Sequence, residues 1–245
     1  MNVLPPPEEK ATYVERMFAR IAPGYDRINR AMTFGQDQGW RRHAVNAVAP
    51  PINGRALDVG TGTGDFLPLL AAWMPDGIAV GVDFCLPMMR AGWSKLETAA
   101  LDRSPAHAYR TTFVGGDALR LPFPDDTFDS ITTGFTMRNV TDIGAAFREM
   151  WRIVRPGGVV ACLEVARPRS PLLRLGHRFY FEQVVPLVGL ALGSDRQAYT
   201  YLPQSARLFP APPELAQIMR AAGWQHVQYK RLSLGAVAVH TGVKL

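Results

Sequence analysis

Residues 55–66 read RALDVGTGTGDF, an apolar run that ends in three closely spaced glycines. Glycines at alternate positions allow a tight backbone turn and let a ligand approach without a Cβ in the way. A dinucleotide site prefers G-x-G-x-x-G with a phosphate at the helix N-terminus, but here Asp65 occupies the sixth position. Because a carboxylate repels phosphate, the loop favours a ligand with a positive charge, and Asp58 adds a second negative charge.

Acidic residues also follow the next two apolar runs. Asp83 ends the run at 78–82, and Asp117 follows the run at 111–114. Parallel strands bring their carboxyl ends to one edge of a sheet, so Asp58, Asp83 and Asp117 are predicted to line one crevice. Asp83 would accept both hydroxyls of a ribose, and Asp117 would accept from an exocyclic amine. A ribose, an adenine amine and a sulfonium together describe S-adenosylmethionine, although acids at strand ends are also common as turn and cap residues.

Short apolar runs alternate with helix-like segments through most of the chain, and this order predicts a parallel sheet with helices on both faces. The predicted strands are 55–60, 78–82, 111–114, 128–133, 158–164, 224–232 and 235–243. The predicted helices of this region are 65–73, 86–100, 142–154 and 213–222.

The segments on either side of the central pattern differ from it in character. The first ten residues resemble a loose tail, and residues 11–48 read as helices interrupted at Pro23-Gly24 and Gly35. A long apolar and basic insert begins after residue 170. No linker separates these parts. We therefore expect one domain, residues 1–245, with a helical N-terminal cap at 1–50 and a substrate-side insert at 166–212.

The composition excludes several classes of protein. A chain of 245 residues with 47% hydrophobic residues forms a globular core, and no apolar run is long enough to span a membrane. The net charge is +6, but the basic residues are scattered, so we predict no nucleic-acid partner. The two cysteines, Cys85 and Cys162, have no metal-ligand spacing. We predict no metal site and a reduced, cytoplasmic setting.

Several ordered motifs resemble those of a known family. LDVGTGTGD at 57–65 looks like the first motif of class I S-adenosylmethionine-dependent methyltransferases. YDRINRAMT at 25–33, followed by Trp40, is similar to the N-terminal signature of the ubiquinone/menaquinone biosynthesis C-methyltransferases. Five further segments resemble motifs of that family: LPFPDDTFD at 121–129, GFTMRNVTD at 134–142, RIVRPGG at 152–158, AYTYLPQS at 198–205 and HTGVK at 240–244.

The resemblance implies a Rossmann-like α/β fold with a mostly parallel seven-stranded sheet and an antiparallel C-terminal strand. It implies methyl transfer from S-adenosylmethionine to a ring carbon of a prenylated quinol, either demethylmenaquinol or a demethoxy-type benzoquinol. Another small-molecule acceptor, such as a natural-product phenol or a sterol, is the alternative. The cofactor residues assigned on the loop chemistry and the resemblance are Asp58, Gly60, Thr61, Gly62, Thr63, Gly64, Asp83, Phe84, Asp117, Ala118 and Gly134.

The resemblance also suggests the catalytic residues Arg138, Asn139 and Tyr25. Arg138 would stabilise a developing phenolate, together with an ordered water, because a guanidinium stays protonated and is a poor direct base. Tyr25 would hydrogen-bond the quinol oxygen, and Asn139 would orient it. The alternative for Arg138 is a structural ion pair with Asp142, four residues on. We assign no catalytic part to His43, His177 or His240.

Three positions depart from the family pattern. Asp37 stands where the family usually has a histidine, three residues before the signature tryptophan. Gly134 stands where a serine is frequent, and Asp117 where many members have asparagine. We expect cofactor binding to tolerate these changes, whereas Asp37 bears on the substrate or its acid–base chemistry. A binding protein without turnover is a competing hypothesis, but intact Asp83, Arg138 and Asn139 argue against it. An RNA methyltransferase is another, but the sequence has no appended RNA-binding module and no Asn/Asp-Pro-Pro-aromatic motif.

The insert at 166–192 combines arginines with the apolar run 184–192. It would wall a channel for a polyprenyl tail, with the arginines on anionic lipid head groups. The alternative is a core helix kinked at Pro186 with solvated arginines. We accordingly expect a cytoplasmic protein with peripheral contact at the inner face of the membrane, and a homodimer is an open alternative.

Overall fold

The computed structural model describes residues 4–101, 110–187 and 195–245. The strands are Arg55–Val59 (β1), Ile78–Asp83 (β2), Thr111–Gly115 (β3), Phe128–Gly134 (β4), Val154–Val165 (β5), Gln225–Leu232 (β6) and Val237–Val243 (β7). The α-helices are Lys10–Ile21 (α1), Tyr25–Met32 (α2), Gln36–Val48 (α3), Leu67–Trp73 (α4), Leu86–Leu101 (α5), Ile143–Ile153 (α6), Pro171–Phe179 (α7), Arg196–Leu208 (α8) and Pro212–Ala221 (α9).

The described strands form one seven-stranded sheet in the order β3-β2-β1-β4-β5-β7-β6. The first five are parallel, and β7 runs antiparallel to both β5 and β6. The predicted fold class is therefore confirmed. Parallel strands need covered faces, which explains why β1 and β4 are almost wholly buried. The order reverses direction beside β1, and ligands of such sheets bind outside the carboxyl ends at this point.

Helices cover the sheet on both faces. On one face, α6 and α9 bury Phe147, Met150 and Met219 against the central strands. On the other, α3 and α4 bury Val45 and Leu70. Fully burying a large apolar side chain contributes about 1.5–3 kcal/mol, so these two layers supply much of the stability.

Helix α6 illustrates how the local sequence sets an element. Asp142 caps its N-terminus by accepting a hydrogen bond from the backbone N–H of Ala145 at 2.8 Å. Buried Ala146, Met150 and Ile153 then follow at helical spacing. Asp142 is not the ion-pair partner of Arg138 that the sequence offered as an alternative, because the Arg138 guanidinium pairs with Glu164 of β5 instead.

The N-terminal helices pack against the later insert. Helices α1 and α2 bury Met17 and Ile28 in a cluster that includes Val185 and Tyr201. The breaks predicted at Pro23-Gly24 and Gly35 separate α1, α2 and α3, as expected. The prediction that the first ten residues form a loose tail is wrong for residues 4–10, because Leu4 packs on this cluster and Pro7–Glu9 forms a 3-10 turn. At the end of the tail, Lys10 Nζ donates to the carbonyl oxygen of Val140 at 2.7 Å.

Most element boundaries differ from the predictions by one or two residues, and two of the differences have a clear cause. Strand β5 begins at Val154 rather than at residue 158, because the Pro-Gly-Gly segment is accommodated as an irregularity opposite Phe128 and Ser130. Helix α4 begins at Leu67 rather than at residue 65, because the glycine turn occupies two more residues. Part of the apolar run at 184–192, which belongs to the predicted insert, lies outside the described residues. No helix among those described has the length and hydropathy needed to cross a membrane.

Candidate active site

The glycine loop at the end of β1 forms the floor of an open cleft of about 900 Å³. Gly60 has φ +68°, and a Cβ there would lie 2.2 Å from Thr136 Cγ2. Gly64 has φ +76°, and its Cβ would lie 2.7 Å from the Phe113 ring. These clashes, together with the left-handed backbone, explain why the loop needs glycine. We call this cleft the cofactor cleft.

Seven of the predicted cofactor residues line this cleft together. They come from the glycine loop, from the ends of β2 and β4, and from the turn after β3, and they are Gly60, Gly62, Asp83, Phe84, Asp117, Ala118 and Gly134. The crevice predicted at the carboxyl edge of the sheet is thus present, with two of its three acids.

Asp83 is the better anchored of these two acids. Its Oδ2 accepts from the backbone N–H of Gly62 and its Oδ1 from that of Cys85, both at 2.8 Å. A carboxylate offers about four lone-pair sites, so each oxygen keeps capacity for a hydroxyl. Burial raises the pKa of Asp83, and the backbone hydrogen bonds oppose that rise. Phe84, which is 38% exposed, presents an apolar surface beside it.

Asp117 belongs to a short turn after β3. Its Oδ1 accepts from the backbone N–H of Leu119 at 2.9 Å, which fixes the carboxylate near the cleft. Unlike Asp83, this side chain is exposed. It retains acceptor capacity for an amine of a bound base.

Asp58 and the two loop threonines do not line the cofactor cleft. Asp58 is 1% exposed and lies beneath the loop, where Thr132 Oγ1 donates to its Oδ1 at 2.9 Å. Burial raises the pKa of Asp58 to about 7. Thr61 is buried against β2, where a Cβ at Gly81 would meet its side chain, and Thr63 donates its hydroxyl to Asp26 of α2. These residues therefore hold the loop.

The expectation that Asp65 faces a cationic ligand is wrong, because its carboxylate already has two cationic partners. Lys95 Nζ lies 2.8 Å from its Oδ1, and Arg41 Nη2 lies 3.3 Å from its Oδ2. Lys95 also pairs with Asp26 at 2.7 Å. Burial, the largest single influence, would raise the pKa of Asp65, but these cationic partners together outweigh it and lower the pKa. The pairs tie α2, α3 and α5 to the glycine loop.

A second cleft of about 1210 Å³ adjoins the first. Its lining is mostly apolar and aromatic, with contributions from α2, α3, the insert and the turn before β7. Tyr25 and Phe135 line both clefts and therefore mark where the two meet. An apolar cleft with few polar groups suits a largely hydrophobic small molecule. We call it the acceptor cleft.

Arg138 lies in the acceptor cleft and is held by a buried carboxylate. Its Nη1 donates to Glu164 Oε2 at 3.1 Å, and its backbone N–H donates to Glu164 Oε1 at 3.3 Å. Glu164 is 1% exposed, and its Oε2 also accepts from the backbone N–H of Val165 at 3.0 Å. The guanidinium carbon lies 5.5 Å from the Phe135 ring centroid, within cation–π range. A fixed guanidinium in an apolar cleft is suited to stabilise an oxyanion.

Tyr25 and Asn139 have different surroundings. Burial raises the pKa of Tyr25, and nearby Arg138 opposes the rise, so the phenol stays protonated and can donate. Asn139 lines the cofactor cleft rather than the acceptor cleft. Its Nδ2 donates to the carbonyl oxygen of Phe135 at 3.2 Å, and its Oδ1 accepts from Tyr201 Oη at 3.3 Å. Asn139 therefore holds the segment between the clefts.

Asp37, the departure from the family pattern, lines the acceptor cleft but is already paired. Arg41 Nη1 lies 2.8 Å from Asp37 Oδ2, and Thr33 Oγ1 donates to its Oδ1 at 3.0 Å. Asp37 is 2% exposed, so this carboxylate orients Arg41 in the wall of the cleft. Signature residue Trp40 donates its Nε1–H to Ser233 Oγ at 2.9 Å.

Sequence reasoning missed two residues that shape this site. Glu164 received no role from the sequence, since a lone acid in an apolar strand gives no hint of its partner. Phe135 has φ +60°, unusual for a bulky residue, and only the structure reveals this strain. The Gly-Phe order at the end of β4 was the available signal, because Gly134 ends the strand and Phe135 begins the turn that aims the ring.

The residues of the cofactor cleft fit S-adenosylmethionine. Gly60 and Gly62 bring the loop backbone to the cleft without a side chain, and Asp83 keeps free lone pairs for hydroxyls. Asp83 and Asp117 are both acidic and favour a cationic ligand over a phosphate. The methyl donor would lie between them and the junction with the acceptor cleft.

Comparison with known proteins agrees with this geometry. A family model described as the ubiE/COQ5 methyltransferase family matches residues 7–244. The chain is 66% identical over 243 residues to a protein of Roseiflexus castenholzii named demethylmenaquinone methyltransferase, covering 99% of this chain and 98% of that one. A protein of the same name from Deinococcus radiodurans is 40% identical over 97% of this chain and 95% of its own.

Solved structures are similar in fold. A methyltransferase from Thermotoga maritima, described as dependent on S-adenosylmethionine, has a TM-score of 0.65 at 24% identity, over 94% of this chain and 99% of its own. Another from Aquifex aeolicus has a TM-score of 0.58 at 18% identity, over 84% and 89%. The fold, the cofactor cleft and the family match agree, and the chain belongs to the ubiE/COQ5 methyltransferase family of S-adenosylmethionine-dependent enzymes.

Proposed function

We propose that this S-adenosylmethionine-dependent C-methyltransferase methylates the ring of demethylmenaquinol, a prenylated naphthoquinol. The observation that carries the proposal is the apolar acceptor cleft, which holds Arg138 and meets the cofactor cleft at Tyr25 and Phe135. The relatives at 66% and 40% identity bear the name demethylmenaquinone methyltransferase. The corresponding benzoquinol is the second candidate, because a relative from Geotalea daltonii at 39% identity is named for both quinone pathways.

The reduced ring is required because carbon is a poor nucleophile unless the ring is electron-rich. Loss of a phenolic proton places negative charge on the oxygen and on the ortho and para carbons. The Arg138 guanidinium would stabilise that charge in a low-dielectric cleft, where such stabilisation is worth more than in water. Glu164 accepts one hydrogen bond from the guanidinium and one from the backbone N–H of Arg138, which holds the residue in place, so little reorganisation is needed.

Tyr25 and Asn139 would position the reacting groups. Tyr25 keeps its proton because burial raises its pKa, so it serves as a donor to the quinol oxygen rather than as a base. Asn139 braces the Phe135 backbone, and with it the ring at the junction of the clefts. Holding two reactants in line is worth several kcal/mol, so this positioning is a large part of the proposed catalysis.

Asp83, Phe84, Asp117 and Ala118 would hold the methyl donor together with the glycine loop. Asp83 would accept from ribose hydroxyls, Asp117 from the adenine amine, and Phe84 would cover the base. S-adenosylmethionine supplies an electrophilic methyl group on a sulfonium when it is bound.

The N-terminal cap at 1–50 and the insert at 166–212 would enclose the acceptor within the single domain of residues 1–245. Both contribute to the acceptor cleft, through residues such as Asn29 and Phe181. Exclusion of water by these segments strengthens every electrostatic interaction in the cleft.

Exposed apolar side chains around the cleft mouth support a peripheral membrane contact, which is part of the proposal. Helix α7 turns Leu172, Leu175 and Phe179 outward, and they are 78%, 66% and 63% exposed. Phe34 and Leu234 line the acceptor cleft and are 77% and 78% exposed on turns with positive φ. Exposed large apolar side chains on neighbouring segments are typical of an interaction site, and a prenyl tail leaving the cleft would enter lipid there.

Vesicle sedimentation tests the membrane contact. We expect the protein to co-sediment with phosphatidylcholine vesicles that contain phosphatidylglycerol, and Leu172→Glu/Leu175→Glu to reduce the bound fraction at least about 10-fold, since burying these side chains is worth a few kcal/mol. Ile52→Glu is the matched control, because Ile52 is 62% exposed but precedes β1 at the opposite edge of the sheet. Equal binding by all three proteins would refute the contact.

The function is tested by supplying labelled S-adenosylmethionine with chemically reduced demethylmenaquinol. We expect transfer to the reduced naphthoquinol and none to the oxidised quinone, because only the reduced ring is nucleophilic. The demethoxy benzoquinol, tested in parallel, identifies the ring that is preferred. Tight cofactor binding by calorimetry without transfer to either ring would overturn the proposal.

A further inference from the structure

His177 lies between two clefts. One of its neighbours is the acceptor cleft. The other is a third cleft of about 1020 Å³ whose polar lining is Arg167, Arg174, Arg178, Glu182 and Arg207, which we call the arginine cleft. Besides His177, only Val165 and Phe181 appear in the described linings of both. Both of these are apolar, so His177 is the one shared group that can carry a proton.

The imidazole of His177 is fixed in place, but its Nε2 atom lacks a hydrogen-bond partner among the described residues. It stacks on the Phe181 ring with the centroids 4.5 Å apart and an interplanar angle of 30°. Its Nε2 atom is buried and has no hydrogen-bond partner among the residues that the structure describes. A buried polar atom left unpaired is uncommon and calls for an explanation, of which a ligand or a catalytic role is one.

The proposed reaction releases one proton for each methyl group. The phenolic O–H loses its proton, and the ring carbon then forms a C–C bond as the sulfur–methyl bond breaks. The proton on the methylated carbon next leaves while the oxygen is protonated again, so the ring regains aromaticity. One proton therefore remains in an enclosed apolar cleft, where it must be accepted and carried out.

We infer that His177 accepts the phenolic proton in the acceptor cleft and releases it to water in the arginine cleft. The inference rests on the proposed function and extends it. The other polar groups near the substrate are poorly suited to this task. Arg138 stays protonated, Tyr25 retains its own proton, and Asp37 is held by Arg41 at 2.8 Å.

The surroundings keep His177 neutral and able to accept a proton. Burial lowers the pKa of His177, so the ring is unprotonated near neutral pH. The charged groups that line the two clefts around it are mainly cationic, with Asp37 and Glu182 as the acids, and the cations are Arg41, Arg138, Arg167, Arg174, Arg178 and Arg207. This cationic surplus also favours release of the proton once it has been accepted.

The test compares His177→Asn with His43→Asn at saturating substrates across a range of pH. The pKa of His43 is also lowered by burial, but His43 lines neither cleft, so it is the matched control. We expect His177→Asn to lower kcat on the order of 100-fold, the usual effect of a general base, and to leave the Kd for S-adenosylmethionine unchanged. We also expect the fall of kcat at acid pH to disappear and added imidazole to restore part of the rate.

A kcat within twofold of the wild type, with the same pH profile, would overturn the inference. Failure of the proposed function gives a different result, because the wild type itself would then transfer no methyl group to either quinol. A folding defect is recognised by a lowered melting temperature, and in that case His177→Gln, which keeps a longer polar side chain, repeats the comparison.

Discussion

Replacing Arg138 by methionine, alone and together with Glu164→Gln, separates the structural role of this residue from its catalytic role. The substitution leaves Glu164 1% exposed with its charge uncompensated except by two backbone N–H groups. Removing one partner of a buried ion pair typically costs 3–5 kcal/mol, so we expect Arg138→Met to lower the free energy of unfolding by about that much. This is a large part of the roughly 5–15 kcal/mol that a domain has.

The double variant Arg138→Met/Glu164→Gln removes both charges. Replacing a buried ion pair by uncharged groups is often neutral, so we expect the stability of the double variant to return to within about 1–2 kcal/mol of the wild type. Its activity should stay low. Loss of an oxyanion-stabilising donor costs about 10²–10³ in kcat, and neither variant retains the guanidinium.

Urea unfolding and the labelled-methyl assay measure the two effects on the same preparations. Arg148→Met is the control, because Arg148 is 60% exposed and lies 3.9 Å from a similarly exposed Asp142. An exposed pair of this kind contributes about 0–1 kcal/mol. Recovery of activity in the double variant, in step with its stability, would refute a catalytic part for Arg138 and leave only a structural one.

Three further predictions concern the cofactor cleft and the glycine loop that forms its floor. Asp83→Asn should weaken the binding of S-adenosylmethionine at least about 10-fold, measured by calorimetry. An amide has only one acceptor atom, so it cannot replace both carboxylate oxygens, which accept from two backbone N–H groups and, in the proposal, from the ribose. An unchanged Kd would contradict the ribose role. Gly60→Ala should abolish cofactor binding, since its Cβ would lie 2.2 Å from Thr136 Cγ2 at φ +68°, and normal binding would exclude that clash. Burial raises the pKa of Asp58 from 3.8 to about 7, so the folded state holds a proton that the unfolded state loses. Stability should therefore fall as pH rises between these values, and Asp58→Asn should flatten that slope in urea unfolding.

The sheet and the cofactor cleft could be predicted because their signals are local. Apolar runs and their turns placed the described strands within a few residues, and the glycine loop predicted the cleft at the carboxyl edge. Asp83 and Asp117 reach that cleft because Asp83 is the last residue of β2 and Asp117 lies two residues after β3, and the strand direction carries both to the carboxyl edge.

The remaining errors come from contacts between distant parts of the chain. The charge on Asp65 is compensated by Lys95 and Arg41, which lie 30 and 24 positions away in sequence and on other helices. Arg138 pairs with Glu164 from β5 rather than with Asp142, four residues on. Helical spacing indicates only neighbours on the same helix, and the segment from Arg138 to Asp142 is not helical.

The most direct test of the central claim is the position of the new methyl group. The enzyme would be incubated with ¹³C-methyl S-adenosylmethionine and reduced demethylmenaquinol, and the product examined by carbon NMR. If the methyl group is transferred to a carbon of an electron-rich ring held beside Arg138, its ¹³C resonance will appear in the region of a methyl group on an aromatic carbon. A resonance in the methoxy region would show methylation of oxygen, and would contradict the account of how the acceptor cleft presents the ring.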